Sequence, residues 1–248
     1  MYDENCFITL TYDNDHLPKD LSLTKREFQL FMKRLRKHFE HKMPKDEKIR
    51  YAACGEYGEK YGRPHYHAIL FNLDFPDKKL HKIVRGHRLY TSETLQEIWQ
   101  HRGFCVIGSA SFESAAYVSR YILKKRKGRF AEKHPQYERV DEDGVVTYVQ
   151  PEFALWSRNP GLGRHWFEKY KHEVYPSDEV IIKGRRMRPP KYYDRLLEQE
   201  DPKLFEEIKN KRKIDMEKYE GDNTPERLAV REKVKLAQIE FLKRDLEV

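Results

Sequence analysis

The chemistry available to this chain is suggested first by two histidines, His65 and His67, which are separated by a single residue. The surrounding run PHYHAILF is rich in aromatic and aliphatic residues, which predicts a strand over residues 65–73. Side chains alternate across a strand, so both imidazoles would lie on the same face of the sheet. Two imidazoles on one face supply half of a divalent-metal site. Because such pairs are also common as ordinary strand residues, this one becomes informative only beside a third ligand.

A carboxylate is the expected third ligand. Glu56 ends a predicted strand over residues 49–56, and Glu59 follows in a loop over 57–64 that contains two glycines and a proline. If the two strands pair across this loop, Glu56 lies beside the histidines, so Glu56 is the first choice and Glu59 the second. Two imidazoles and one carboxylate leave coordination positions open for catalysis. Such a set suits Mn²⁺ or Mg²⁺ in an enzyme that acts on phosphate, although imidazoles bind later transition metals more tightly.

Tyr117 and Tyr121 form a second candidate pair, because they are four residues apart in a helix predicted from residue 111 to about 125. This spacing places them on neighbouring turns of one helix face, where both phenols could face solvent or a substrate. A phenol with a pKa near ~10 is a weak nucleophile at neutral pH, so a metal or the nearby Lys124 would have to assist it. The alternative is that both tyrosines pack as ordinary helix residues.

The composition favours an anionic partner. The chain has 248 residues and a formal net charge of +8, with a sequence pI of about 9.1. Nucleic acid is the commonest partner of proteins with this balance of charge. The basic residues selected as candidate DNA contacts are Arg63, Arg120, Lys125, Arg185 and Arg186.

Cysteine usage and hydropathy indicate where the protein acts. Three scattered cysteines without a Cys-x-x-Cys pair argue against a structural zinc site or a disulfide framework and favour a reducing cytoplasm. No apolar run approaches the ~20 residues that span a bilayer. The N-terminus lacks the basic and apolar regions of a signal peptide. We therefore expect no membrane partner.

The order of predicted elements indicates an α+β fold. They are a strand over residues 6–12, a helix over 24–39, strands over 49–56 and 65–73, a helix over 92–100, a strand over 104–109 and a helix over 111–125. This order is the β-α-β-β-α-β motif of ferredoxin-like folds, which predicts one mostly antiparallel sheet flanked by helices. A further strand is predicted over 148–156.

The predicted domain boundary lies near residue 176, where a basic, highly charged and mainly helical sequence begins. Thr224 and Pro225 mark the start of its last helix. We therefore predict a domain over residues 1–175 and a basic helical C-terminal extension over 176–248.

Four segments together resemble the HUH endonuclease superfamily, and within it the replication initiator (Rep) proteins of gokushovirus-type single-stranded DNA microviruses. The segments are FITLTY at residues 7–12 followed by DHLP at 15–18, CGEYG at 54–58 continuing to RPHYH at 63–67, YVSRY at 117–121 followed by two lysines, and SRNPGLG at 157–163. The resemblance extends over about residues 5–170. It implies an HUH fold with Glu56, His65 and His67 as the metal ligands.

The resemblance also implies a reaction. One of the two tyrosines would attack a phosphodiester of the single-stranded viral origin and remain joined to the DNA 5′ end. The free 3′ hydroxyl would then prime rolling-circle synthesis, and the second tyrosine would act after one round. No ATP is needed, because the phosphotyrosine conserves the bond energy. Which tyrosine acts first stays open. The implied setting is the cytoplasm of a bacterial host, with a host helicase or replisome as a further partner.

Three other functions fit some of the same residues. A transposase or plasmid relaxase of the same superfamily would make the same nick in a different process. A non-catalytic nucleic-acid-binding module would stack aromatic residues of its sheet on bases and would not need a metal. A metal hydrolase that activates water would need no tyrosine and would leave no covalent adduct.

Overall fold

The computed structural model describes residues 2–42, 44, 47–58, 61–124, 134–140 and 143–241, with only the backbone described for residues 120–124. The described residues group into two compact units, residues 2–159 and 160–248. The units are divided between residues 159 and 160, whereas the predicted domain boundary lies at 175/176, inside a helix. The sequence change near residue 176 follows a change in charge, which does not mark where the chain begins a new core.

The first unit is built on a seven-stranded sheet with strand order β4-β5-β6-β1-β3-β2-β9, in which all neighbours are antiparallel. Its strands are β1 Asn5–Leu10, β2 Arg50–Tyr57, β3 Pro64–Phe71, β4 Lys79–Val84, β5 His87–Thr91, β6 Cys105–Ser109 and β9 Phe153–Trp156. A separate hairpin joins β7 Glu138–Val140 and β8 Val146–Tyr148. The helices are α1 Lys25–Phe39, α2 Glu93–Ile98 and α3 Phe112–Lys124. The central order β6-β1-β3-β2 and this arrangement of helices confirm the predicted α+β, ferredoxin-like class.

One face of the sheet carries the hydrophobic core. Helix α1 begins after Thr24, whose hydroxyl accepts a hydrogen bond from the backbone of Arg26. Its apolar stripe of Phe28, Phe31, Met32, Leu35 and Phe39 is entirely buried. The stripe packs with strand residues of one parity, such as those at positions 6, 8 and 10 of β1. Residues of the other parity therefore point to the opposite face, where α3 contacts β2, β3 and β9.

The hairpin β4–β5 was not predicted. Its β4 residues are mostly exposed, so they lack the apolar alternation by which a half-buried strand is recognised. The turn signal was present, because Arg85 and Gly86 both have positive φ values, 51° and 83°. The strand predicted over 148–156 is interrupted, since β8 ends at Tyr148 and β9 begins at Phe153.

The second unit is mainly helical. It consists of α4 Arg164–Ser177, β10 Val180–Ile182, β11 Arg185–Met187, α5 Lys191–Glu200, α6 Pro202–Glu217 and α7 Pro225–Glu240. Helix α4 and the β10–β11 hairpin were not predicted. Helix α7 does begin at Thr224-Pro225, and the Thr224 hydroxyl accepts a hydrogen bond from the backbone of Arg227 at 3.4 Å. No α7 residue in the described part of the helix is buried, so its apolar stripe is exposed.

A small core and one ion network hold this second unit together. The core contains Phe167, Val174, Tyr175, Leu196, Leu197 and Ile208. Beside it, Arg212 of α6 binds Asp178, which ends α4, through two nitrogens at 2.6 and 2.7 Å. The same guanidinium binds Asp194 of α5 at 2.8 and 2.9 Å. One side chain thus joins three helices by charge-assisted hydrogen bonds.

The glycines of the segment at residues 157–163 serve packing. A Cβ at Gly161 would overlap the hydroxyl of Tyr192, and a Cβ at Gly163 would lie 2.7 Å from that of Tyr193. Gly163 also has φ 83°, a left-handed conformation that favours glycine.

No helix in the described part of the chain combines the length and the apolar character that crossing a bilayer requires.

Candidate metal centre and tyrosine

The candidate metal centre lies where β2 ends and β3 begins. The register of these strands places Glu56 opposite His65 and Cys54 opposite His67. The connecting loop is closed by hydrogen bonds from the Gly58 amide to the Arg63 carbonyl (3.0 Å) and from the Gly62 amide to the Gly58 carbonyl (2.8 Å). The pairing expected from the sequence is therefore present. Glu59, the second choice as carboxylate ligand, lies outside the described residues.

Three side chains converge in this centre. The Nε2 atoms of His65 and His67 each lie 2.8 Å from Oε1 of Glu56. The possible ligand atoms of the three residues all lie within 4.8 Å of one another. Glu56 and His67 are buried, whereas the His65 side chain is 17% exposed, so the centre is accessible to solvent on the His65 side.

The second nitrogen of each imidazole is held by the protein. Nδ1 of His65 donates to the Arg63 carbonyl at 3.1 Å, because a carbonyl oxygen can only accept. Nδ1 of His67 lies 2.9 Å from the hydroxyl of Thr9, the residue opposite His67 in the β1–β3 ladder. With Nδ1 protonated, the neutral form of each ring directs the lone pair of Nε2 towards the centre. This pattern is typical of metal-binding histidines.

The protonation states also suit a metal. Burial alone would raise the pKa of the Glu56 carboxyl, but hydrogen bonds and charge from His65 and His67 lower it to about 2. Burial lowers the pKa of His67 below its ordinary value, although Glu56 opposes this shift. The carboxylate is thus ionised and His67 neutral at pH 7, the forms in which both residues bind metals.

Tyr117 of α3 joins this group. Its hydroxyl donates to Oε1 of Glu56 at 3.0 Å and lies 3.4 Å from Nε2 of His67. The phenol ring meets the His67 imidazole edge-on at 5.1 Å, and Phe7 stacks on the other side of that imidazole at 5.4 Å. Tyr117 is only 1% exposed, so the expectation that its phenol faces solvent is wrong. The helical wheel gave the correct face but not the depth, because α3 lies directly on the sheet.

The other residues selected around the second tyrosine are only partly described. Tyr121, Lys124 and Arg120 belong to α3, where the structure describes their backbone alone. Lys125 lies outside the described residues. Their assignment as nucleophile, catalytic lysine and phosphate contacts stays a prediction.

The selected arginines lie in two places. Arg63 immediately precedes the histidine strand, and its guanidinium donates to the Asn14 side chain at 2.8 Å and to the Tyr12 carbonyl at 3.0 Å. These bonds attach the loop after β1 to the start of β3, so in this structure Arg63 acts within the protein. Arg185 and Arg186 are exposed on β11, in the second unit.

Two residues of the site were missed from the sequence, Thr9 and Phe7. Both lie on β1, a predicted strand, and their parity places them on the histidine face. The available signal was a polar threonine in an otherwise apolar strand, but its partner His67 is 58 positions away and only the sheet order connects them.

The donor set fits a divalent metal. Two imidazoles and one carboxylate are the residue types that bind such ions, with positions left over for substrate. The second oxygen of Glu56, Oε2, is buried and has no hydrogen-bond partner in the described structure. A buried carboxylate oxygen without a partner is costly, so it is a candidate position for a cation.

The sequence is similar to known phage proteins. Residues 5–126 match a family model for the replication-associated protein ORF2. The replication-associated protein VP4 of Bdellovibrio phage phiMH2K is 32% identical over 218 residues, which are 86% of this chain and 64% of that protein. The replication-associated protein ORF2 of Spiroplasma virus 4 is 34% identical over 219 residues, 84% of this chain and 63% of that protein.

A third relative, replication-associated protein ORF4 of Chlamydia phage 1, is 29% identical over 201 residues, 79% of this chain and 46% of that protein. The chain therefore spans less than two thirds of the length of these relatives. No solved structure matches it.

The region matched by the family model contains the two-histidine strand, Glu56 and the tyrosine helix. The relatives are named as replication-associated proteins of phages, which supports a role in phage replication and confirms the resemblance expected from the motifs. The chain accordingly belongs to the replication-associated (Rep) proteins of the microvirus type.

Proposed function

We propose that this chain is a metal-dependent endonuclease that nicks and rejoins single-stranded viral origin DNA through a covalent 5′-phosphotyrosine. The observation that carries the proposal is the position of the Tyr117 hydroxyl, 3.0 Å from Oε1 of Glu56 and 3.4 Å from Nε2 of His67. A potential nucleophile thus lies beside a set of residues able to hold a divalent metal. In a water-activating hydrolase this phenol would have no role.

Tyr117 is the first nucleophile in this proposal. Its oxygen forms a bond to phosphorus while the bond from phosphorus to the 3′ oxygen breaks. The phenol proton leaves towards a base, for which the ionised Glu56 is positioned, and the departing 3′ oxygen gains a proton to become a hydroxyl. The number of phosphate ester bonds does not change, so the step needs no ATP and can be reversed to rejoin the strand.

Glu56, His65 and His67 would hold Mn²⁺ or Mg²⁺. Such an ion polarises the scissile phosphate and stabilises the negative charge that develops on it. The protein fixes the direction of each ligand through Thr9, the Arg63 carbonyl and the strand register. The solvent-accessible side at His65 is the side from which a phosphate would approach.

Tyr121 would act second, after one round of synthesis. It lies four residues, or one helical turn, beyond Tyr117 on α3, so a small movement of the helix could exchange the two phenols at one metal. Lys124 would assist a phenol, and Arg120 and Lys125 would contact phosphates. The reaction would take place in the cytoplasm of a bacterial host, with a host helicase or replisome separating the strands.

The test uses 3′-labelled single-stranded oligonucleotides that tile the viral origin, incubated with Mn²⁺ and separated on a denaturing gel. We expect a labelled protein–DNA band that requires metal and is lost with a chelator. Tyr117→Phe should remove the band in a first round, while Tyr121→Phe should retain it. Free cleaved DNA without an adduct, or a normal adduct in Tyr117→Phe, would overturn this assignment.

A further inference from the structure

The β10–β11 hairpin is a short basic ribbon at the surface of the second unit. Residues 180–182 pair with 185–187, and the two turn residues, Lys183 and Gly184, have φ values of 49° and 76°. These left-handed conformations define a two-residue turn of the type that favours a tight hairpin. The base is anchored because Val180 packs against the core of the unit, whereas Ile181 is 70% exposed. The hairpin is thus fixed at its base and exposed towards its turn.

Positive charge is concentrated here. Residues 180–191 contain the five basic residues Lys183, Arg185, Arg186, Arg188 and Lys191 and no acidic residue. Their charge of +5 compares with +8 for the whole chain. The neighbouring Glu179 lies 3.5 Å from Arg186, but the Arg186 side chain stays 75% exposed. An exposed pair of this kind is weak, so the arginine remains available to an anionic ligand.

The register separates these charges onto two faces. Arg185 pairs with Ile182 and Arg186 with Ile181, and consecutive residues of a strand point to opposite faces. Arg185 and Arg186 therefore project from opposite sides of the ribbon. A three-residue strand extends about 10 Å, close to the depth of a DNA major groove, about 8.5 Å. That groove is wide enough, at about 12 Å, to admit a two-stranded ribbon.

We propose that the hairpin at residues 180–187 enters a groove of duplex DNA, with Arg185 and Arg186 contacting phosphates on the two walls and Arg188 adding a third contact. The inference rests on the proposed function, for which it names a second DNA-binding element that takes the double-stranded part of the origin. The nicking centre then receives the adjoining single strand.

The side chains of the hairpin favour duplex over single-stranded DNA. Proteins that bind single strands stack bases on aromatic residues, and residues 180–187 contain none. The exposed apolar side chains, Ile181 and Met187, are aliphatic and suit contact with thymine methyl groups and sugars. Backbone phosphates and groove shape are the features that this hairpin can contact.

The experiment measures the binding of the full chain to a 20-base-pair origin duplex and to the corresponding single strand, across a range of NaCl concentrations. Replacing Arg185, Arg186 and Arg188 with alanine should weaken duplex binding about 10–100-fold at 100 mM NaCl. It should also lower the magnitude of the salt slope by about 3, since each phosphate contact contributes about 0.9. Binding to the single strand should change less than about threefold, and its nicking should be retained.

The matched control replaces Arg231, Lys233 and Lys235 of α7 with alanine, which removes the same charge from an exposed helix of the same unit. The control should bind duplex normally. A second variant, with lysine at positions 185, 186 and 188, should retain most of the affinity, and its retention rules out a folding defect at these positions as the cause.

Three results would overturn the inference: normal duplex affinity in the alanine variant, equal losses for duplex and single strand, or equal losses in the control. Nicking of the single strand reports the proposed function separately. Its absence in the unaltered protein would contradict that function, whereas the duplex measurement judges the hairpin.

Discussion

Replacing Thr9 with valine should weaken metal binding without changing any proposed ligand. Valine has nearly the same shape as threonine but lacks the hydroxyl that lies 2.9 Å from Nδ1 of His67. Both residues are buried, at 4% and 2% exposure, so water does not readily replace the lost partner. The imidazole then loses the contact that fixes its tautomer and the direction of Nε2.

The size of the effect follows from this geometry. A buried donor left without an acceptor costs about 1–3 kcal/mol. Loss of a hydrogen bond that orients a metal-binding histidine typically lowers metal affinity about 10–100-fold, which corresponds to about 1.4–2.7 kcal/mol. The two ranges agree, so we expect Thr9→Val to raise the Kd for Mn²⁺ about 10–100-fold.

The assay is calorimetric titration of Mn²⁺ into metal-free protein, with the paramagnetic resonance signal of free Mn²⁺ as a second measurement. Thr9→Ser keeps the hydroxyl and should bind within about threefold of the unaltered protein. Thr11→Val is the matched control, because the Thr11 hydroxyl donates to the Phe104 carbonyl at 2.7 Å, away from the histidines. If Thr9→Val and Thr11→Val bind Mn²⁺ equally well, the hydroxyl of Thr9 does not orient His67 for a metal.

Further predictions concern metal, stability and the two units. Saturating Mn²⁺, at 100 times its Kd, should stabilise the protein by about 2.7 kcal/mol in a thermal melt, and the shift should disappear in His65→Ala or with a chelator. Gly103→Ala should destabilise by about 1–3 kcal/mol, since its Cβ would lie 2.5 Å from a backbone oxygen, whereas Gly221→Ala has open space and should be neutral by the same melt. Arg212→Ala should cost about 2–3 kcal/mol, somewhat less than a fully buried ion pair, and increase hydrogen exchange in α4–α6; equal increases in β1–β3 would show that the units do not unfold separately.

The convergence of Glu56, His65 and His67 was predictable because all three lie close in sequence. Strand alternation sets the face of the two imidazoles, and a short glycine-containing loop sets the register that brings Glu56 opposite His65. The central sheet was predictable for the same reason, since its strands alternate and its helices carry clear apolar stripes. Local sequence thus determined most of the residues now proposed as ligands.

The parts that were missed depend on distant contacts or on weak patterning. Thr9 reaches His67 only through the order of strands in the sheet, and the burial of Tyr117 depends on how closely α3 approaches that sheet. The β4–β5 hairpin and the β10–β11 ribbon are exposed, so burial leaves little pattern in their sequences. Their turns are marked mainly by Gly86 and Gly184.

The joint role of the three ligands and Tyr117 can be tested by locating the covalent bond between protein and DNA. The unaltered protein is allowed to nick a single-stranded origin oligonucleotide with Mn²⁺, digested with trypsin and nuclease, and analysed by mass spectrometry. We expect a nucleotide phosphate on Tyr117 in the unaltered protein and none in His67→Ala, which lacks an imidazole 3.4 Å from the phenol. A nucleotide on a residue outside α3, or an undiminished adduct in His67→Ala, would show that this cluster is not the nicking centre.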